Sequence, residues 1–296
     1  MSHEPLPPTR ESGRPASPGG GPGPRHFDAV SLIRGALDGQ AAGDAIHTGF
    51  PSLDTLLGGG LRRGDLIVLT GDTASGKSAL ALAIALHVCA SGRSAAFLSG
   101  EMTVSRLIER ALAMHGRVRI DDLRRGSLDD ETHAAVAAAA LSLRQATPVF
   151  DDLGNAGLTG VSDLLAEHLG LDLCVVDPVE SLAPGRLPLA EEVAIAVRAL
   201  KELAIRRTTA MLAISHLPQS LQGRATTRPG LQDLGGLGAI RQHTDVVLGL
   251  YREEMYGPHP DVAGAAELHV LKNRNGPEGF VDLYFQREWM RFEEVV

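Results

Sequence analysis

Cysteine, aromatic residues and long apolar runs are scarce in this sequence of 296 residues. The two cysteines, Cys89 and Cys174, are predicted to be buried, reduced and structural, because neither has a partner at the spacing of metal ligands. No uninterrupted apolar run reaches the roughly 18 residues of a transmembrane helix, and the N-terminus has no apolar signal-peptide core. We therefore expect no membrane contact and a cytoplasmic location.

Positive charge is also in short supply. The 28 basic and 36 acidic residues give a net charge of −8, which argues against a surface coated in basic residues but leaves room for nucleic acid in a locally basic groove or pore. Only three of the basic residues are lysine: Lys77, Lys201 and Lys272. Because arginine fills nearly every other basic position, a retained lysine indicates a need for a compact ammonium group.

One short segment carries a strong chemical signal. It fits the pattern G-x-x-x-x-G-K-[ST] and lies between an apolar stretch at 65–70 and a helical stretch at 78–90. Backbone N–H groups of such a loop surround phosphates, the lysine reaches the β and γ phosphates, and the last hydroxyl binds Mg²⁺. The alternative is a solvated glycine-rich turn. The predicted ATP and Mg²⁺ site consists of Gly71, Asp72, Thr73, Ala74, Ser75, Gly76, Lys77 and Ser78.

Three regions follow from composition and periodicity. Residues 1–25 are rich in Pro and Gly and are predicted to be a disordered tail. Residues 26–45 contain a helical apolar stripe and form a predicted linker helix, which docks either on a neighbouring subunit or on its own domain. Residues 46–296 form the predicted ATPase domain.

Within that domain, apolar strand patterns alternate with helical patterns, which predicts an α/β fold with a mostly parallel, twisted sheet flanked by helices. From residue 266 onward the pattern changes to short alternating runs, so an antiparallel C-terminal edge is expected. The predicted strands are 65–70, 94–99, 147–150, 171–176, 210–215, 245–250, 269–272, 281–285 and 289–292. The predicted helices after 78–90 are 103–114, 131–143, 161–169 and 189–206.

Three side chains follow predicted parallel strands, where ligands bind in open α/β sheets. Asp177 is a candidate ligand of Mg²⁺, or else a cap before Pro178. Glu101 is placed to polarise a water molecule against the γ-phosphate, or it favours the start of the next helix. His216 can touch the γ-phosphate and report hydrolysis to the following loop, or it is a plain residue at a strand end.

Lys272 and Arg274 lie two residues apart on a predicted strand and so project from the same face. Paired cations of this kind can complete the stabilisation of transition-state charge as an arginine finger, which can come from another molecule. A solvated basic edge is the alternative. Both residues are catalytic candidates, together with Lys77, Glu101 and His216.

Several separated motifs together resemble the RecA-type motor domain of DnaB-family replicative helicases, from about residue 27 to the C-terminus. The motifs are Thr48-Gly49-Phe50 with Leu53, Leu98-Ser99-Gly100-Glu101-Met102, Arg124-Arg125-Gly126-Ser127-Leu128-Asp129-Asp130 and Asn273-Arg274-Asn275-Gly276-Pro277, which occur in family order around the segment 71–78, the P-loop. The resemblance implies a RecA-like P-loop NTPase that assembles into a hexameric ring around single-stranded DNA. It also implies that Glu101 is the catalytic base, that Lys272 and Arg274 reach the neighbour's site, and that the linker helix latches onto the adjacent subunit.

The sequence departs from that family at two places. Only the predicted tail precedes the linker helix, so we do not expect recruitment of primase through the family's N-terminal domain. The segment 232–242 matches a DNA-gripping loop in which the family usually has arginine at the position of Gly235. Loss of that charge removes a phosphate contact, although glycine N–H groups can still hold phosphates. The predicted DNA-binding residues are Gly235, Gly236, Gly238 and Arg241.

We therefore expect an ATP hydrolase: a ring-forming 5′–3′ DNA helicase that couples ATP hydrolysis to movement along single-stranded DNA and works with other replication proteins. The alternative is an oligomeric ATPase like RecA, RadA or KaiC, with an accessory or regulatory role and no unwinding. A P-loop kinase acting on a small molecule would leave the cationic pair and the linker helix without a purpose.

Overall fold

The computed structural model of the protein describes residues 45–154, 156–257 and 259–295. The predicted tail 1–25 and nearly all of the linker helix 26–45 lie outside the described residues. The described strands form one sheet in the order β3-β2-β4-β5-β1-β6-β7-β8-β9. In chain order they are β1 Leu66–Gly71, β2 Ala95–Ser99, β3 Val149–Asp152, β4 Leu173–Asp177, β5 Ala210–His216, β6 Val246–Arg252, β7 Ala265–Asn273, β8 Gly279–Gln286 and β9 Arg291–Glu294.

The α-helices of the described residues connect these strands. They are α1 Pro51–Leu56, α2 Lys77–Ala90, α3 Val104–Gly116, α4 Ile120–Arg125, α5 Asp130–Gln145, α6 Gly157–Glu167, α7 Leu189–Arg207 and α8 Ala239–His243. None of them combines the length and the apolar character that crossing a bilayer requires.

Strands β1 to β6 pair in parallel, and β6 to β9 pair antiparallel. Strands β1 and β4 are buried along their full length, as expected for parallel strands with helices on both faces. Alternate residues of β1 pack in the hydrophobic cores on opposite faces of the sheet. Ile67 packs with α2 on one face, and Val68 packs with α7 on the other. Strand β8 alternates buried and more exposed residues, which fits an edge with one covered face. The predicted α/β architecture with an antiparallel edge is confirmed.

Several predicted elements have different bounds in the structure, and two of them show a local reason. The strand predicted at 289–292 begins at Arg291, because residues 287–289 form a 3₁₀ turn and Met290 has a φ of +55°. The helix predicted at 161–169 begins at Gly157 and ends at Glu167, and Leu169 beyond it is 78% exposed. Short helices such as α1, α4 and α8 were not predicted, since one or two turns give too little periodicity to recognise.

The segment before α1 depends on a close backbone approach. Gly49 has a φ of +88°, and a Cβ atom at this position would lie 2.7 Å from Cγ of His87 on α2. The Thr48 N–H and hydroxyl both donate to Oδ1 of Asp54, at 2.9 and 2.8 Å, which fixes the start of α1. Glycine at position 49 therefore lets the segment pack against α2.

We predict that Gly49→Ala lowers the free energy of unfolding by about 2–4 kcal/mol, from a positive φ and from overpacking against His87. Gly92→Ala is the matched control, because Gly92 has a φ of +78° but a Cβ atom there would meet no described atom within 4 Å. That control should lose only about 1 kcal/mol. Urea denaturation measures both variants, and equal losses would contradict the packing argument.

Candidate active site

The segment 71–78 connects the end of β1 to the start of α2. Its glycines adopt backbone conformations that a side chain would prevent. Gly71 has a φ of +155°, and a Cβ atom there would lie 2.5 Å from the carbonyl oxygen of Leu250. Gly76 has a φ of +103°, and a Cβ atom there would lie 2.8 Å from Cζ of Phe292. The loop is thus a strand-to-helix turn whose backbone approaches its neighbours closely.

Lys77 is only 4% exposed, and its ammonium group lies against this loop. Nζ donates to the carbonyl oxygens of Gly71 and Asp72, both at 2.9 Å. Burial lowers the pKa of Lys77, while nearby carboxylates, Asp177 and Glu180 first among them, act in the opposite direction. A buried charge is stabilised by an opposite charge, so this ammonium group is suited to an anionic ligand bound in the loop.

Asp177 ends β4 and is 1% exposed. Among the described residues neither of its carboxylate oxygens has a hydrogen-bond partner that meets ordinary geometry. Burial raises the pKa of Asp177 to about 6, and the neighbouring Ser78 hydroxyl opposes that rise. Hard cations bind oxygen ligands, and the buried Asp177 carboxylate beside the Ser78 hydroxyl offers such ligands without other partners. The residues present therefore fit Mg²⁺. The Ser75 hydroxyl in the loop is likewise buried without a partner among the described residues.

Strand register brings the other predicted residues to the same edge of the sheet. Gly71 pairs with His216 across β1 and β5, and Ser99 pairs with Asp177 across β2 and β4. Glu101 follows β2, and its Oε1 lies 3.2 Å from Nε2 of His216. The two side chains are 52% and 32% exposed, so they line an accessible site. Sequence analysis predicted both residues but not their contact, which requires the sheet order.

Two charged residues near the site were not predicted. Glu180 lies in the 3₁₀ turn after β4, and its Oε1 accepts from the Ser215 hydroxyl at 2.8 Å and from the His216 N–H at 3.0 Å. Its Oε2 is buried without a partner among the described residues. Burial lowers the pKa of Arg110 on α3, and Asp177 is the foremost opposing charge. Glu180 follows a predicted strand by a few residues, which was a usable signal, whereas only the fold places Arg110 near Asp177.

Asp72 connects the phosphate-type loop to the segment after β5. Its Oδ2 accepts from the Ser220 hydroxyl at 2.9 Å, the Leu221 N–H at 3.1 Å and the Tyr256 hydroxyl at 3.1 Å. Burial alone would raise the pKa of Asp72, but these hydrogen bonds outweigh it and lower the pKa. The loop at 71–78 is therefore hydrogen-bonded to the segment that begins at His216.

Lys272 and Arg274 lie in a second cluster, around the end of α8. Nζ of Lys272 donates to the carbonyl oxygens of Arg241 and Thr244, at 2.7 and 2.6 Å. The Arg274 guanidinium donates to Oδ1 of Asp245 and to the carbonyl oxygen of Gln242, both at 3.1 Å. The structure brings this pair together, but its side-chain hydrogen bonds go to residues 241–245 of the same chain.

The predicted DNA loop lies immediately before α8. Gly235 has an extended backbone with a φ of −77°, and a Cβ atom there would meet only Pro218, at 3.8 Å, among the described residues. Gly236 and Gly238 have φ values of +68° and +82°, and Leu237 between them is 74% exposed. Arg241 is also exposed. The four predicted residues thus lie within one short segment that ends in α8.

The chain resembles known proteins over nearly all of its described length. A family model described as the DnaB-like helicase C-terminal domain matches residues 45–294. The replicative DNA helicase DnaB of Geobacillus stearothermophilus is 31% identical over 273 residues, which cover 90% of this chain and 59% of that protein. DnaB of Leifsonia xyli subsp. xyli is 33% identical over 271 residues, covering 87% and 57%. The chain therefore spans less than three fifths of the length of these curated relatives.

Two solved structures share the fold. One is an ATPase domain with a TM-score of 0.81 and 22% identity, covering 91% of this chain and all of that one. A DnaB-like replicative helicase, whose structure is described together with its interactions with primase, has a TM-score of 0.79 and 21% identity, covering 92% of this chain and 68% of that one. At such identities the likeness concerns the fold alone, and it confirms the RecA-like architecture.

We predict that Asp177→Asn stabilises the chain in the absence of nucleotide. Because the folded-state pKa of about 6 exceeds the unfolded value of 3.8, folding favours the protonated carboxyl, and wild-type stability falls as the pH rises through this interval. The variant should gain up to about 3 kcal/mol at pH 8, with little difference near pH 4. Thermal and urea unfolding across this pH range measure the effect.

Asp163→Asn on α6 is the control, because Asp163 is exposed. It should change the free energy of unfolding by less than about 0.5 kcal/mol at any pH. An Asp177→Asn variant that is destabilised equally at every pH would show that the carboxylate is not an isolated buried charge.

Proposed function

Because this chain belongs to the DnaB-like helicase C-terminal domain family, we propose that it is the ATP-hydrolysing motor of a replicative DNA helicase, a ring that moves 5′–3′ along single-stranded DNA. One observation carries the proposal. The phosphate-type loop, the buried Asp177 carboxylate and the Glu101–His216 pair meet at the carboxyl edge of the parallel strands. Ligands bind at this edge in open α/β sheets.

In this proposal the loop 71–78 binds the phosphates of ATP through its N–H groups, and Lys77 turns from the loop carbonyls toward the β and γ phosphates. Ser78 and Asp177 hold Mg²⁺, which when bound neutralises charge on the phosphates. Glu101 accepts the proton of the attacking water, for which its exposed carboxylate leaves room. These roles use the residues that the fold gathers at one edge.

His216 orients Glu101 and transmits the state of the site. Its Nε2 contacts the Glu101 carboxylate, and its backbone N–H is held by Glu180. The segment that follows His216 is bonded to Asp72 in the phosphate-binding loop through Ser220 and Leu221. A change at the γ-phosphate position therefore reaches this segment through His216 at its start and through the Asp72 bonds to Ser220 and Leu221.

Assembly completes the site. Lys272 and Arg274 act on the triphosphate bound by the neighbouring subunit, and the linker helix 26–45 latches adjacent subunits into a hexameric ring. The loop residues Gly235, Gly236 and Gly238, with Arg241, face single-stranded DNA in the central pore. Other replication proteins are partners of such a ring, and its place of action is the cytoplasm.

A second function is favoured by Gly235 alone. With no cation at this position the loop provides one phosphate contact fewer, which suits an oligomeric accessory ATPase that does not unwind DNA. Acceleration of ATP hydrolysis by single-stranded DNA, with strand displacement on a forked substrate, distinguishes the motor from this alternative. An ATPase indifferent to DNA would favour the accessory role.

We predict that mixing two inactive variants restores ATP hydrolysis. A Glu101→Gln subunit retains its cationic pair, and an Arg274→Ala subunit retains Glu101, so an interface between them can combine both intact groups. Random equal mixing should restore roughly a quarter of the sites if the finger acts in trans. Steady-state ATPase assays of the separate and the mixed proteins provide the measurement. A mixture as inactive as its components, or full turnover by dilute monomers, would refute the shared site.

We predict that Gly235→Arg strengthens binding to single-stranded DNA. The backbone at this position tolerates a side chain, and the added cation should steepen the slope of log affinity against log salt by about 0.7. Gly92→Arg is the control, because it adds the same charge between α2 and β2, at the opposite edge of the sheet from the phosphate-binding loop. Fluorescence anisotropy with a labelled oligonucleotide at several salt concentrations measures both. An equal gain from the two variants would mean that the loop is not the DNA site.

A further inference from the structure

We propose that residues 241–245 form a seat that holds Lys272 and Arg274 on their own subunit, and that DNA bound at the loop 235–238 releases them toward the neighbouring site. We name this segment the α8 seat and identify Asp245 as a positioning residue for Arg274. The inference rests on the proposed function, since it concerns how the finger of that motor is controlled.

The α8 seat holds both cations by several bonds at once. Lys272 Nζ donates to two seat carbonyls at 2.6 and 2.7 Å, and the Arg274 guanidinium donates to one more carbonyl and to Asp245. The Arg274 backbone N–H also donates to the carbonyl oxygen of Asp245, at 3.0 Å. Carbonyl groups at the C-terminal end of a helix carry partial negative charge, so they attract cations. The pair is therefore bound to its own chain in the described state.

Lys272 and Arg274 are neighbouring like charges, and the seat compensates their repulsion. Burial and the adjacent Arg274 both lower the pKa of Lys272, while Asp245 raises it. Asp245 itself is 5% exposed. Both cations must give up these bonds before they can reach another subunit, so occupancy of the seat and action in trans compete.

One end of the seat is anchored to the sheet, and the other follows directly from the 235–238 loop. Oδ2 of Asp245 accepts from the Leu66 N–H at 2.8 Å and from Lys201 Nζ at 2.6 Å, which anchors it to β1 and α7. The carbonyl groups of Arg241 and Gln242 belong to α8, whose first residue follows Gly238 directly. A shift of the 235–238 loop therefore moves these carbonyls relative to the anchored Asp245. Such a shift breaks the seat into two parts and frees the cations.

The loop has the backbone that such a shift needs. Gly236, Leu237 and Gly238 have consecutive positive φ values of +68°, +51° and +82°. A leucine in this region is strained, and strain of this kind is typical of segments with more than one accessible state. The Leu237 side chain itself is exposed, so it does not tie the loop to the core.

The first test loosens the seat while it leaves the cations, the carbonyl groups that bind them and the loop residues unchanged. Thr244 is fully buried, and its hydroxyl donates to the Ile240 carbonyl oxygen at 2.6 Å, which closes the last turn of α8. Thr244→Val conserves shape and removes that bond. We expect the DNA-independent kcat to rise about fivefold, the change that loss of one hydrogen bond gives a two-state equilibrium, with the DNA-saturated kcat and the KM for ATP unchanged. The ratio of the two rates should fall accordingly.

Thr209→Val is the matched control, because Thr209 is 1% exposed and its hydroxyl donates to the Arg207 carbonyl oxygen, outside α8 and the seat. It should leave the ratio at the wild-type value. An unchanged ratio in Thr244→Val overturns the seat, provided that DNA stimulates the wild type. A wild type that DNA does not stimulate overturns the proposed motor function itself, so the two failures are distinguishable.

Asp245→Asn provides a second, independent variant. It removes the charge that attracts Arg274 but keeps a carbonyl oxygen in place. Lys201→Gln is its control, since it removes the Lys201–Asp245 ion pair while the Leu66 N–H still anchors Asp245 and the Asp245–Arg274 pair is retained. We expect the DNA-independent kcat to rise in Asp245→Asn and not in Lys201→Gln, with thermal unfolding recorded for both. Equal behaviour of the two variants would reduce Asp245 to a structural role and overturn its assignment as a positioning residue.

Discussion

Parallel hydrogen bonding among β1, β2, β4 and β5 is the constraint on which the site depends. Because these strands share one direction, the residues that end them or follow them must lie at one edge of the sheet. Glu101, Asp177 and His216 come from three distant parts of the chain and meet there with the loop after β1. Helices on both faces bury the strands, so this edge is held rigidly while the side chains along it remain accessible.

The same edge concentrates charge at an energetic cost. Asp177 is buried with no hydrogen-bond partner of ordinary geometry among the described residues, and one oxygen of Glu180 is in the same condition. Lys77 is buried beside them and bonded to neutral carbonyls. Each arrangement destabilises the chain by itself, and in the proposed function a triphosphate with its cation would relieve it. The apolar cores on both faces supply the stability that this edge lacks.

Asp245 joins the two functional clusters. It anchors the first residue of β1, whose last residue begins the loop 71–78, and it also contacts Arg274. A single carboxylate thus connects the strand that leads into the candidate nucleotide site with the segment that holds the cationic pair. Lys201 contributes the third contact of Asp245. Each of the chain's three lysines therefore makes a specific hydrogen bond. The scarcity of lysine in the sequence is consistent with that use.

Local patterns in the chain were sufficient for the alternation of strands and helices, the antiparallel edge and the candidate residues at strand ends, since periodicity and motif spacing act over a few residues. Contacts across the sheet were not accessible in this way. Strand order determines the Glu101–His216 pair and the contacts of Glu180. The binding of Lys272 and Arg274 depends on α8, a helix too short to predict. They join residues far apart in the chain, and only tertiary packing determines which distant side chains become neighbours.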